Sequence, residues 1–243
     1  MKPFILCAVL VLFHSFCWGI IVPNSDNEIK ESGNMVSDFV RVDPEDGHPE
    51  KLPTKAWVWQ NDDCLIVHYE ATIDSTFTQG FFTTRDTEVR ADMLRVQLVT
   101  VPESYFAYYY CAYPLGNLLD GIRNSDMSVS YDWDSSYSYE STYTSDLWTV
   151  TMRIPLSELR FKNQLPYRWG IILTRLHEHN REFYSSPDAV TRLKLGYFQA
   201  THPLELNHPV ARKLNLTLRP YYVKSYDMIS KTEIGRASCR ERV

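Results

Sequence analysis

The chain has 243 residues, 44% hydrophobic and 14% aromatic, with 25 basic against 30 acidic side chains and a formal net charge of −5. That length holds one domain with a sizeable core, or one domain and the start of another. With no basic excess there is no positive stripe for phosphate contacts, so nucleic acid is excluded as an expected partner.

Met1-Lys2 gives a minimal positive region, Phe4 to Phe16 is almost wholly apolar, and Cys17-Trp18-Gly19 brings a small residue to the position a signal peptidase reads. Residues 1–19 therefore read as a secretory signal peptide cleaved after Gly19. A membrane-spanning helix needs about 20 apolar residues, and polar Asn24-Ser25-Asp26-Asn27 closes this run too early. A lipoprotein site at Cys17 fits less well, because Phe16 stands where a small residue is wanted.

Residues 20–37 are polar without a sustained period and read as a linker or irregular lead-in. From Lys55 onward the pattern is alternation, the mark of half-buried strands. Leu65, Val67 and Tyr69 share one face, with Cys64, Ile66, His68 and Glu70 on the other. Leu94, Val96 and Leu98 alternate with Arg95 and Gln97, and Ser104 to Tyr113 is an aromatic strand. Tyr137, Tyr139 and Tyr143 line one side of the next, and Trp148, Val150, Met152 and Ile154 form a core face opposite Thr149, Thr151 and Arg153. Arg168 to Leu176 is a further strand, with Trp169, Ile171 and Leu173 on one side. Turn clusters such as Asn61-Asp62-Asp63 and Pro114-Leu115-Gly116-Asn117 separate these runs. Together they predict an all-β fold, an antiparallel β-sandwich over residues 38–205.

Leu214, Leu216 and Leu218 alternate with Asn215, Thr217 and Arg219 before Pro220-Tyr221-Tyr222, so residues 206–233 hold another strand, either the last of the sandwich or the first of a further domain. Alternation beside aromatic residues is what an outer-membrane barrel strand shows. The last ten residues, Ile234 to Val243, are Arg-rich, lack alternation, and back-translate in one frame into a common short-read sequencing adapter. Read as a library scar, they are set aside. Removing their three Arg and one Glu leaves 22 basic and 29 acidic residues, net −7.

Of five cysteines, Cys7 and Cys17 fall in the signal and Cys239 in the adapter run, leaving Cys64 and Cys111. In an oxidising compartment the two either pair or stay as buried thiols. No Gly-x-Ser-x-Gly elbow, His-Glu-x-x-His or Gly-rich phosphate loop is present, so no catalytic residue is assigned and the fragment is not expected to be an enzyme. His177 and His179 are placed to share a strand face and hold a metal, or to be solvated. Asp132 and Asp134 flank Trp133 and suit acid–base work, calcium binding with backbone oxygens, or an acidic turn whose Trp caps the core. Sugar binding on a β-sandwich needs flat aromatic rings framed by charged and amide side chains. Trp148 and Trp169 lie on core faces, which leaves Trp57, Trp59 and above all Trp133 as ligand candidates.

Several runs in order resemble one family. They are Phe39 with Pro44, Gly47 and Pro49; Thr84-Arg85-Asp86; Ala91-Asp92; Tyr113-Pro114-Leu115-Gly116 with Asp120; Asp132-Trp133-Asp134; Met152 to Phe161; and Arg168-Trp169-Gly170 with Arg175. This is similar to the family 9 type carbohydrate-binding domain of large Gram-negative outer-membrane proteins, in which a membrane β-barrel of uncharacterised function follows. The resemblance spans about Phe39 to Tyr222 and is strongest in Arg153-Ile154-Pro155-Leu156 with Leu159-Arg160-Phe161. The family's opening stretch has only a degenerate counterpart in Ile21 to Asp38, without its Trp, and Tyr113 stands where the family has Asn. The resemblance implies a carbohydrate-binding-module-like jelly roll, then the first strand of a truncated barrel, in the cell envelope of a Gram-negative bacterium. It implies a glycan or polysaccharide partner, with Arg85 and Asp86 joining Trp133, Asp132, Asp134, Trp57 and Trp59 as candidate contacts. The alternatives are a structural periplasmic or plug domain without a glycan, and an accessory module of a xylanase-like glycoside hydrolase.

Overall fold

The computed structural model describes residues 19–44, 47–74, 80–101, 105–187, 198 and 200–210. In chain order the first strands are β1 (Ile20–Val22), β2 (Met35–Val36), β3 (Val40–Asp43), β4 (Thr54–Gln60) and β5 (Cys64–Thr72). Then come β6 (Met93–Val99), β7 (Phe106–Ala112), β8 (Leu118–Asn124), β9 (Val129–Ser130) and β10 (Ser138–Tyr143). The last are β11 (Leu147–Pro155), β12 (Tyr167–His177), β13 (Glu182–Ser186) and β14 (His202–Leu206). Besides these, the described residues hold two short 3-10 turns.

The strands form two sheets. The larger runs β1-β14-β12-β6-β7-β8-β9, with β13 paired to β12 and β3 in turn to β13; the smaller runs β10-β11-β5-β4-β2. β12 is long enough to hold two partners on one edge. Its first half pairs with β14 and its second half with β13, while β6 takes the other edge. β1 joins β14 in parallel, so residues 20–22 lie beside residues 204–206.

The alternation read from the sequence is the alternation of the fold. Leu65, Val67 and Tyr69 of β5, Leu94, Val96 and Leu98 of β6, the apolar face of β11, and Trp169, Ile171 and Leu173 of β12 meet in one buried core. Fully burying each large apolar side chain contributes about 1.5–3 kcal/mol, and the sandwich follows from giving both sheets that face. Polar struts tie the layers. The Tyr69 hydroxyl crosses to the Arg95 carbonyl at 2.8 Å, and the Tyr137 hydroxyl accepts from the Leu119 N–H at 2.8 Å. Arg175, almost fully buried, donates to the carbonyls of Leu52 and Thr72 and the hydroxyl of Thr54, and pairs with Glu50 at 3.0 Å.

Two expectations differ from this architecture, and the cysteine alternative resolves to free thiols. The lead-in over residues 20–37 is built into the fold: β1 extends the large sheet, β2 extends the small one, and Ile20, Val22 and Val36 enter the core. Its polarity reflects the exposed residues between those anchors, too few and too scattered to set a period. Cys64 and Cys111 do not pair; one sits in β5 against Trp57 and Trp59, the other in β7 among the residues outside the large sheet. Those positions lie on opposite outer faces of a two-layer sandwich, beyond the reach of a disulfide. The sandwich also runs past residue 205, with Leu206 in β14 and Val210 in the core. The described residues belong to a compact unit, Met1–Arg212. The signal peptide, the strand at Leu214 to Tyr222 and the adapter-like run lie outside the described residues.

Candidate functional site

The tryptophans of β4 are not exposed. Residues 28–35 close over the outer face of the small sheet, where the Asn34 side chain bonds the Val58 carbonyl at 3.1 Å and Lys30 stands 5.4 Å over the Trp57 ring. Trp57 and Trp59 are buried there with Ile66, Met35 and Cys64. Lys30 also bridges Glu28 and Glu70, at 2.7 and 2.6 Å. His68 sits beside them, its Nδ1 2.8 Å from the Thr151 hydroxyl. Burial, with Lys30 nearby, holds its imidazole below the ordinary value. Trp57 and Trp59, ligand candidates by sequence, share one side of β4, and residues twenty to thirty positions earlier return to cover them.

Trp133 is half-buried at a corner of the core, its ring 5.0 Å from that of Tyr108 and 6.0 Å from that of Tyr110. Around it the resembling motifs converge into one internal lock. Arg85 donates to Asp120 at 2.5 Å and to the Ser135 carbonyl at 2.6 Å, and it lies 3.5 Å from Asp86 and 3.6 Å from Asp134. Asp120 in turn accepts from the Ser135 N–H, and Glu158 accepts from the hydroxyls of Ser135 and Ser136. Desolvation pushes the Asp120 carboxyl up to about 6, and Asp86 is raised by burial and by neighbouring Asp134. Arg85, Asp86 and Asp134 therefore fasten the 132–136 loop onto β8.

Asp132 and Asp134, the pair considered for calcium, take separate partners, Asp132 meeting the Ser130 hydroxyl at 3.2 Å. His177 ends β12 with its ring 2.9 Å from Glu50, and His179 lies in the following turn, so no strand face carries both. Among the described residues no three His, Cys, Asp or Glu side chains group in a way that would hold a metal ion.

An open cleft of about 510 Å³ lies instead on the outer face of the large sheet, within the range of about 300–1,000 Å³ for ligand pockets. Alternation builds its floor: Met93 and Arg95 of β6, Tyr109 of β7 and Arg123 of β8 all point away from the core. The cations bracket one ring, with the Arg95 and Arg123 guanidiniums each 5.2 Å from the Tyr109 centroid. Arg95 also lies 5.9 Å from the Phe183 ring and 3.3 Å from the Tyr109 hydroxyl. Gly121, directly across from Tyr109, has no room for a side chain, because a Cβ there would meet the Ser130 carbonyl oxygen at 2.4 Å and the Tyr131 ring at 3.2 Å. That vacancy lets Tyr131 close in against the floor, where its hydroxyl meets Glu88 at 3.0 Å. Tyr113, Leu176, Glu178 and Phe183 form the walls; Asp43, Glu88, Arg90 and Arg181 stand at the rim.

A guanidinium-flanked Tyr beside a Phe wall, ringed by Arg and Glu, offers aromatic surface and hydrogen-bonding forks together. Solved structures share the fold of this two-sheet sandwich. A protein of Bacteroides uniformis ATCC 8492 described as carbohydrate-binding matches with a TM-score of 0.59 at 11% identity, over 76% of this chain and 97% of that one. A family 9 carbohydrate-binding module of Caldicellulosiruptor kristjanssonii, solved with cellotriose, matches with a TM-score of 0.50 at 12% identity, over 82% of this chain and 99% of that one. Its glucose complex gives 0.50 at 13% identity, covering 81% and 99%. The chain has the fold of a carbohydrate-binding module. No family model matches the sequence, and no curated protein does. The family 9 architecture expected from the sequence is thus shown at the level of fold, and at these identities likeness carries no residue across.

The cleft residues Tyr109, Arg95, Arg123 and Phe183 were not singled out in the sequence. One signal existed: Arg95 and Tyr109 occupy the off-core positions of strands whose other faces are strictly apolar or aromatic.

Proposed function

We propose that the chain is a non-catalytic glycan-binding module of an exported protein, with the cleft over Tyr109 as its binding surface. The observation that carries this reading is the cleft itself, an aromatic floor and wall with guanidinium and carboxylate groups around them, on a fold shared with modules solved with cellotriose and glucose. Sugar recognition needs that combination, because a pyranose presents an apolar face to a ring and hydroxyls to charged forks. The amino-terminal apolar run and the family resemblance support a place in the cell envelope, joined to an outer-membrane barrel and serving polysaccharide capture or uptake. Affinity electrophoresis through gels containing soluble glycans tests binding: the protein is retarded by at least one glycan, and Phe183→Ala removes the retardation while the melting transition persists.

One observation favours a second reading, a structural domain without a glycan. Trp57 and Trp59 are covered, and Asp86 and Asp92 are engaged internally, with Arg85 at 3.5 Å and the Glu178 N–H at 2.9 Å. Folded protein that migrates unretarded through a broad glycan panel would establish that reading instead.

A further inference from the structure

We infer that the cleft takes an anionic saccharide, one bearing a carboxylate or sulfate, in preference to a neutral glucan; this rests on the glycan-binding reading above. The argument starts from where the charges sit. The protein is acidic overall, with a net charge of −5, yet this cleft carries four Arg against three acids, Asp43, Glu88 and Glu178. The deepest charge is positive: Arg95 is buried in the floor, Arg123 and Glu178 are half-buried, and Arg90, Arg181, Asp43 and Glu88 stand exposed at the rim. Glu88 already accepts the Tyr131 hydroxyl at 3.0 Å. A charge at the bottom of a low-dielectric cleft acts on a ligand more strongly than one at a solvated rim.

Residue type points the same way. All four cations are Arg, whose planar fork meets the two oxygens of a carboxylate or sulfate in a way a lysine ammonium cannot. The two floor guanidiniums are held on either side of one fixed ring, each 5.2 Å from its centroid. Their side chains are already ordered, so a ligand anion gains the contact without ordering them anew. A neutral sugar would use Tyr109 and Phe183 without drawing on the charge of those guanidiniums.

Isothermal titration calorimetry of the protein tests this with matched pairs. These are oligogalacturonate and its methyl ester, oligoalginate and an oligomannan, and a sulfated and a desulfated galactan oligosaccharide. At least one anionic member should bind about tenfold or more tighter than its neutral partner, as charged hydrogen bonds imply. Which pair shows the gap separates carboxylate from sulfate. The gap should narrow as salt rises. Arg123→Met, which keeps an apolar stem over Tyr109, should close most of it, with Arg181→Gln as a second variant of lesser effect. Equal or tighter binding of the neutral partners overturns the inference and keeps the glycan-binding reading. No binding of any saccharide by folded protein overturns both.

Discussion

The sandwich has two outer faces, and they are treated differently. Over the small sheet the chain returns on itself: residues 28–35 lie across β4 and β5, with Lys30 on Trp57 and Asn34 bonded to the backbone of β4. Over the large sheet Val89, Ala91, Tyr131 and Phe183 cover part of the face and leave a cleft beside it, floored by Tyr109 between two guanidiniums. Both faces carry aromatic residues beside cations. What separates a buried aromatic cluster from an open cleft is the path of distant segments, not the residues on the strand.

That contrast can be broken most forcefully on the covered side. Trp59→Ala should cost about 3–5 kcal/mol, the usual loss for emptying a large aromatic site, read as a lower urea midpoint. It should leave saccharide affinity in any surviving folded protein unchanged. Phe183→Ala on the open side should do the reverse. A half-buried wall residue costs about 1 kcal/mol of stability, while saccharide affinity falls about tenfold or more, as for an aromatic anchor. Lys30→Ala sharpens the comparison by lifting the cover. It should cost about 0.5–1 kcal/mol, for a partly exposed cation–π and ion-pair contact, and acrylamide quenching of tryptophan fluorescence should rise.

Smallest is the effect of pH, and here two regions oppose one another. His68, beneath the cover, is held below its ordinary value of 6.5 by burial. The folded state therefore binds its proton less readily than the unfolded chain, and this contribution is lost as pH falls below about 6.5. Asp120, at the corner locked by Arg85, is pushed up from 3.8 to about 6 by desolvation. Its neutral form suits the folded state, so its contribution is complete below pH about 3.8 and is lost as pH rises through about 6. Melting temperatures measured across that window should fall more steeply with acid in Asp120→Asn than in the unaltered protein. His68→Gln should show the shallower slope.

Most of the fold was legible because alternation reports which face of a strand is dry. Leu65-Ile66-Val67, Leu94-Arg95-Val96 and the Trp148 to Ile154 run sorted themselves by period alone, and Trp148 and Trp169 were placed in the core without help. Two things were not legible. The segment before Ser37 has no period, yet its few apolar residues anchor two sheets, because contacts with distant strands rather than local pattern fix it. The candidate contacts taken from the motif show a related effect of distant partners. Arg85, Asp86 and Asp134 look like ligand contacts in a motif, but their charges are answered by one another, by Asp120 and by Ser135. The cleft is assembled from side chains of β6, β7, β8 and β13, and no spacing along the sequence announces such a meeting.

The parallel pairing of β1 with β14 has a mechanical consequence. Ile20 lies beside Leu204 and Val22 beside Leu206, so a load drawn through the chain after Leu206 pulls β14 along its length against β1. The bonds between them then share the tension at once instead of parting one by one from an end. A domain tethered through its carboxyl end while holding a ligand would meet tension at that clasp first, and the clasp resists in its stiffer direction.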